Sequence, residues 1–161
     1  MATATIVGGE HVTLNLSGAE LKAAQDALAK LSEGYSDGNV LHNLSNSPVP
    51  GELNIYEIAS PGGTVTLPSG AQGLVLLGNK STVMRGTSAD TVNPDPILLV
   101  GNRGNDTVFL TGAGSVISGS GLDSVVATAK GSGSAAVWTG SGNDTIAITG
   151  LGSVNAGTGD D

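Results

Sequence analysis

Four windows of the chain align on one Gly-x-Asp core: "GNRGNDTVF" at 101–109, "SGSGLDSVV" at 118–126, "TGSGNDTIA" at 139–147 and "AGTGDD" from 156. Their aspartates, Asp106, Asp123, Asp144 and Asp161, stand 17, 21 and 17 residues apart. Between them "TGAGSVIS", "KGSGSAAV" and "TGLGSVNA", starting at 111, 130 and 149, share the x-G-x-G start but carry Val116, Ala135 and Val154 in place of the aspartate. An eroded copy, "RGTSADTV" at 85–92, sets Asp90 sixteen residues before Asp106. A repeat this short holds one turn and one strand. It cannot bury a hydrophobic face alone, so successive copies must stack along an axis.

Composition agrees with a narrow, repeated core. The 26 glycines are roughly twice the average usage, and only Tyr35, Tyr56, Phe109 and Trp138 carry aromatic rings. Small and β-branched side chains must therefore fill the interior. An apolar content of 39% with regularly spaced Val, Ile and Leu argues against disorder. The formal net charge of −8, from fourteen acidic and six basic residues, excludes a phosphate-binding nucleic-acid surface and docking on an anionic membrane. It also makes a divalent cation a natural counter-ion. Zero cysteines exclude disulfides and thiolate metal sites. No apolar run is long enough to span a membrane. Met1-Ala-Thr-Ala-Thr lacks a basic n-region and an apolar h-region. The protein is expected either to stay inside the cell or to leave it by a route that does not read the N-terminus.

Along the chain, "ATIVGGEHVTLNL" (4–16) predicts two short strands joined at Gly8-Gly9. Ser17 and Glu20 form an S-x-x-E capping box ahead of Leu21, Ala24, Leu28 and Leu31, which recur with helical periodicity, and Gly34 is placed to end that helix. Residues 35–52 are rich in Ser, Asn, Gly and Pro and predict a connecting loop. From about Gly70, Gly-containing turns alternate with segments such as "GLVLLG", "ILLVG", "DTVFL", "SVIS" and "DTIAI", with no further helix signal. The expected architecture is mainly β: a right-handed parallel β-solenoid over 53–161, cut short at the C-terminus, preceded by a capping region over 1–52. The amphipathic helix is expected to lie across the first coil with its leucines inward.

The Gly-rich windows resemble the RTX (hemolysin-type) nonapeptide G-G-x-G-x-D-x-U-x, in which a six-residue turn precedes a short strand and two repeats make one coil. "GNRGNDTVF" departs at the second glycine, where Asn102 stands, and the next two windows depart at the first. Val108, Val125 and Ile146 occupy the hydrophobic U position. The resemblance covers 101–161 well, 80–100 weakly and the first 70 residues not at all. It implies calcium, a hard cation taking six to eight oxygens, held between coils by carboxylates and turn carbonyls. The residues it implicates are Gly104, Asn105, Asp106, Gly121, Asp123, Gly142, Asn143, Asp144, Gly159 and Asp161. Because aspartate occurs only in alternate repeats, any calcium column must be one-sided. A metal-free solenoid is the competing reading, with Asn105, Thr107, Asn143 and Thr145 forming hydrogen-bonded ladders and the aspartates closing turns.

No catalytic motif is present. His11 and His42 lack clustered partners in sequence, and neither G-x-S-x-G, a P-loop nor H-E-x-x-H occurs. The resemblance thus implies a non-enzymatic structural or adhesive module of a secreted or cell-surface bacterial protein. Its expected partners are calcium, a surface polysaccharide, and other copies met at the solenoid ends. The alternative is the non-catalytic part of a polysaccharide-active β-helix, with a groove around Glu52, Glu57 or Asp90. Ice binding needs a flat face with regular threonine ladders, for which "TVTL" at 64–67 is the sole sequence hint.

Overall fold

The computed structural model describes residues 1–88 and 96–161. The chain opens with an antiparallel hairpin, β1 (Ala2–Thr5) and β2 (His11–Leu14), turned at Gly8 and Gly9, which both take left-handed φ near 80°. Helix α1 (Gly18–Ser32) follows. Its periodicity is as read, but the capping box does not close: the Ser17 side chain makes no cap hydrogen bond. Gly18 enters the helix with φ 59°, which departs from the usual cap geometry. At the other end Gly34 is not left-handed. The Ser32 hydroxyl donates to the Leu28 carbonyl and the Tyr35 N–H to that of Ser32, so the last turn closes without it.

The rest is a parallel β-solenoid with two walls. One wall is a seven-stranded parallel sheet of β3 (Gly38–Leu41), β4 (Leu53–Ile58), β6 (Gly73–Leu76), β8 (Ile97–Val100), β10 (Gly114–Ile117), β12 (Ala135–Trp138) and β14 (Gly152–Asn155), stacked in that order. The other is a five-stranded sheet of β5 (Gly63–Thr66), β7 (Thr82–Thr87), β9 (Thr107–Thr111), β11 (Ser124–Thr128) and β13 (Thr145–Thr149). From β4 to β13 each coil contributes one strand to each wall, and β14 adds a strand to the seven-stranded wall alone. Strand β3 lies in the stretch expected to be loop. Its Gly-Asn-Val-Leu sequence has little strand character of its own, and pairing with β4 makes it a strand.

Between the walls runs the inner core, where Leu74, Leu76, Met84, Leu99, Val108, Leu110, Val116 and Val125 are buried. A second core lies outside the seven-stranded wall. There Leu53, Ile55, Val75, Leu98, Val100 and Ile117 pack against Val12 and Leu14 of the hairpin and Ala24, Leu28 and Leu31 of α1. The helix therefore covers a flank of the solenoid rather than lying across its first coil, and it touches β8 and β10. Strands under this cover are buried on both faces, which is why "GLVL" and "ILLV" read as unbroken apolar runs. Beyond the cover, outward positions turn polar: Ser153 and Asn155 of β14 are exposed, and Trp138 of β12 marks the boundary, half-buried against the second core.

Candidate functional site

One corner of the solenoid is a stack of four six-residue turns, 101–106, 118–123, 139–144 and 156–161, aligned position for position. The 21-residue spacing is accommodated at the opposite corner. Only two residues separate β9 from β10 and β13 from β14, but six, 129–134, separate β11 from β12. The longer loop also shifts one sequence alignment: Val137, not Ala135, pairs with Val116 and Val154.

The glycines of the motif are required by how closely the turns stack. Neighbouring strands lie about 4.8 Å apart, and at the second turn position a Cβ on Gly119, Gly140 or Gly157 would overlap the carbonyl oxygen of the residue one coil earlier. The fourth position repeats this. There Gly121, Gly142 and Gly159 follow Gly104, and Gly142 has φ 142° with the Gly121 carbonyl where its Cβ would be. Backbone bonds tie the turns together: Ser120 N–H donates to Asn102 O, Ser141 N–H to Gly119 O and Thr158 N–H to Gly140 O. At the fifth position Asn105 Oδ1 accepts the Leu122 N–H at 3.0 Å, and Asn143 Oδ1 accepts that of Asp160 at 3.1 Å. Asn105 and Asn143 thus form the side-chain ladder, whereas Thr107 and Thr145 stand on the outward face of their sheet.

At the sixth position all four aspartates fall in one column on one side of the solenoid. Asp106, Asp123 and Asp144 are 1%, 2% and 4% exposed, far below what free carboxylates accept. Each Oδ1 reaches back one coil to a backbone N–H: Asp106 to Thr82 at 2.9 Å, Asp123 to Asp106 at 2.8 Å, Asp144 to Asp123 at 2.8 Å and Asp161 to Asp144 at 2.9 Å. The Oδ2 atoms differ. That of Asp106 accepts the Asn102 N–H at 3.2 Å, whereas those of Asp123 and Asp144 are buried without a hydrogen-bond partner. Burial pushes the Asp106 carboxyl up to about 7 and the Asp123 carboxyl up to about 6, against the partial relief of their backbone donors; the next aspartate of the column adds to each rise.

Asp90 lies outside the described residues. Several polar residues lie beside the column, and the sequence marks them only as departures from glycine in the first three windows. Asn102, Ser118 and Thr139 are fully buried at the corner, where the Ser118 hydroxyl donates to Thr139 O and the Thr139 hydroxyl to Ala156 O. Each directly follows a wall strand or lies one residue further on, and that position was the available signal. Glu57 is buried because its Oε2 accepts the Thr13 N–H at 2.6 Å, which anchors the hairpin to β4; His42 Nδ1 is 3.7 Å from its Oε1. His11 accompanies the Thr5 hydroxyl at 3.1 Å on the exposed hairpin.

The fold defines the molecule as a β-solenoid repeat protein with an internal aspartate column. Comparison with protein-family models, with curated proteins and with solved structures finds no match.

The donor set at the column is all oxygen, the chemistry a hard divalent cation takes. Two orphaned carboxylate oxygens, Asp123 Oδ2 and Asp144 Oδ2, sit in consecutive coils. In that respect the residues fit calcium. Asp106 fits less well, since both its oxygens already accept backbone N–H groups. Among the described residues no three acidic or histidine side chains converge on one point, so a calcium there would draw most of its oxygens from backbone carbonyls and water.

Proposed function

We propose that this chain is a structural or adhesive module of a secreted or cell-surface bacterial protein of the RTX-like kind, stiffened by calcium held along its aspartate column. The observation that carries the reading is the pair of buried, unpartnered oxygens on Asp123 and Asp144. Burying an anionic oxygen without a donor or cation costs several kcal/mol, and a divalent ion offsets that cost in two coils at once. Asp123 and Asp144 would hold the ion, with Asp161 beside them in the column. When bound, calcium supplies positive charge that ties adjacent coils together. The protein would then be stiffer in calcium-rich surroundings outside cells than inside them, as linkage between binding and folding requires.

A second reading has its own observation. Every aspartate Oδ1 already caps a backbone N–H of the preceding coil, and the turns are cross-bonded by their own amides, so the stack closes without metal. The two readings part in one experiment. Thermal melting followed by far-ultraviolet circular dichroism is recorded in millimolar calcium and in excess EGTA. A calcium-dependent rise in melting temperature that Asp123→Ala and Asp144→Ala abolish supports the first. Superimposable melts would refute calcium as a stabiliser and leave the metal-free solenoid.

A further inference from the structure

The two walls are finished differently on the outside. The outer face of the seven-stranded wall is largely apolar over β4, β6, β8 and β10, and there the chain's own hairpin and helix cover it. The five-stranded wall is bare, and strand register sorts its outward residues into columns running along the solenoid axis. One column holds Thr107, Ser124 and Thr145; another, four residues further along each strand, holds Thr111, Thr128 and Thr149. Between them Phe109, Val126 and Ala147 form a middle column. The next strand continues the face with Arg85 beside Phe109 and Thr87 beside Thr111 but sets Val83 beside Thr107, where the first hydroxyl column ends, and the Arg85 guanidinium lies 4.3 Å from the Phe109 ring centroid. At about 3.3 Å per residue the two hydroxyl columns lie roughly 13 Å apart, with a rung every 4.8 Å or so. Val126 is 38% exposed and the β13 residues Thr145, Ala147 and Thr149 are exposed.

The geometry points to this face as a binding surface for an extended, uncharged polyhydroxyl chain, a neutral polysaccharide lying along the solenoid axis. The proposal rests on the adhesive-module reading and names its ligand. The molecule carries −8, yet no acidic residue stands at an outward position of these five strands, and their one cation, Arg85, is stacked on Phe109. A cationic partner finds nothing to pair with here, and an anionic one finds a single engaged guanidinium. A sugar ribbon has apolar C–H faces and hydroxyl edges, which match an apolar strip between two hydroxyl columns. The protein-on-protein contact this molecule does make, on the other wall, is built from Leu, Ile and Val, whereas here both flanking columns are hydroxylic over β9, β11 and β13.

The test is native affinity electrophoresis of the whole chain through gels containing hydroxyethylcellulose, with alginate gels as the anionic comparison. Retardation in hydroxyethylcellulose is expected, weakened at least about fivefold, the scale of one lost hydrogen bond, in Thr128→Val. The Val126→Asp substitution should abolish it. Thr128→Val keeps the branched shape, so an unchanged melting curve separates lost binding from lost fold. No retardation, equal retardation of wild type and both variants, or retardation by alginate alone overturns the proposal. Shaping of ice crystals that Thr128→Val abolishes, in the absence of retardation, reassigns the face and overturns it as well, as does a dimer that Val126→Asp converts to monomer. Repeating the gels in EGTA keeps this result separate from the calcium reading, which stands or falls on the melts.

Discussion

Replacing Asp123 by asparagine isolates the electrostatics of the column with little change of shape. The amide keeps an oxygen where Asp123 Oδ1 accepts the Asp106 N–H at 2.8 Å, and it removes the charge. In the folded chain burial raises the Asp123 carboxyl from 3.8 to about 6. A rise of about two units corresponds to roughly 3 kcal/mol by which folding disfavours the ionised form. Its sign follows from proton linkage. A carboxyl whose folded pKa lies above its unfolded one binds protons more tightly when folded, so stability is highest below pH 4 or so and declines as pH rises toward 6, beyond which it is flat. Asp106, pushed up to about 7, extends the decline by a further pH unit. In EGTA at pH 8, Asp123→Asn should therefore stabilise the protein by up to about 3 kcal/mol, and the gain should vanish near pH 4. In calcium the sign reverses if the ion is bound, because the substitution then removes a ligand. Guanidinium denaturation at pH 4 and pH 8, with and without calcium, reads all four values. Destabilisation at pH 8 in EGTA would refute the claim that the column stores uncompensated charge.

Gly142→Ala should destabilise the solenoid by at least about 3 kcal/mol, because its Cβ would overlap the Gly121 carbonyl oxygen in a backbone with φ 142°; a melt lowered by only a degree or two would contradict the tight stacking of the turns. Leu28→Ala opens a cavity between helix and wall, since Leu28 is fully buried. A loss of about 2–5 kcal/mol is expected, together with a red shift in the emission of Trp138, which packs against the same cluster. Asn105→Ala removes the acceptor for the Leu122 N–H on the exposed side of the turn stack. A loss of about 1 kcal/mol and faster exchange of the Leu122 amide, read by hydrogen–deuterium exchange, should follow.

Much of this architecture is legible in the chain because local and repeated signals agree. The Gly8-Gly9 turn and the leucine spacing of α1 are local, and the aspartates of alternate repeats recur at intervals of 17, 21 and 17 residues; together they predict the hairpin, the helix and the one-sided column. Strand β3 was hidden because an edge strand of Gly, Asn, Val and Leu is specified by its partner. Ser17 and Gly34 do flank α1 at its N-cap and C′ positions, as the spacing predicts, but the cap hydrogen bond and the left-handed C′ do not form, because the ends are closed by local hydrogen bonds and by the left-handed entry at Gly18.

The period of the motif, with glycine where turns stack and a branched residue where strands face inward, by itself determined that the chain winds into a solenoid and which residues share a corner. Tertiary structure alone decided where the remaining surfaces go. It laid the helix along a flank, because Leu53, Ile55, Val75, Leu98, Val100 and Ile117 of β4, β6, β8 and β10 face outward there and needed cover. It drew Asp106, Asp123 and Asp144 inside, each onto the backbone of the coil before, and left two of their oxygens without donors. It also aligned threonines from separate repeats into columns. A linear sequence records the intervals between such residues, whereas burial and register depend on which coil lies above and which wall lies behind.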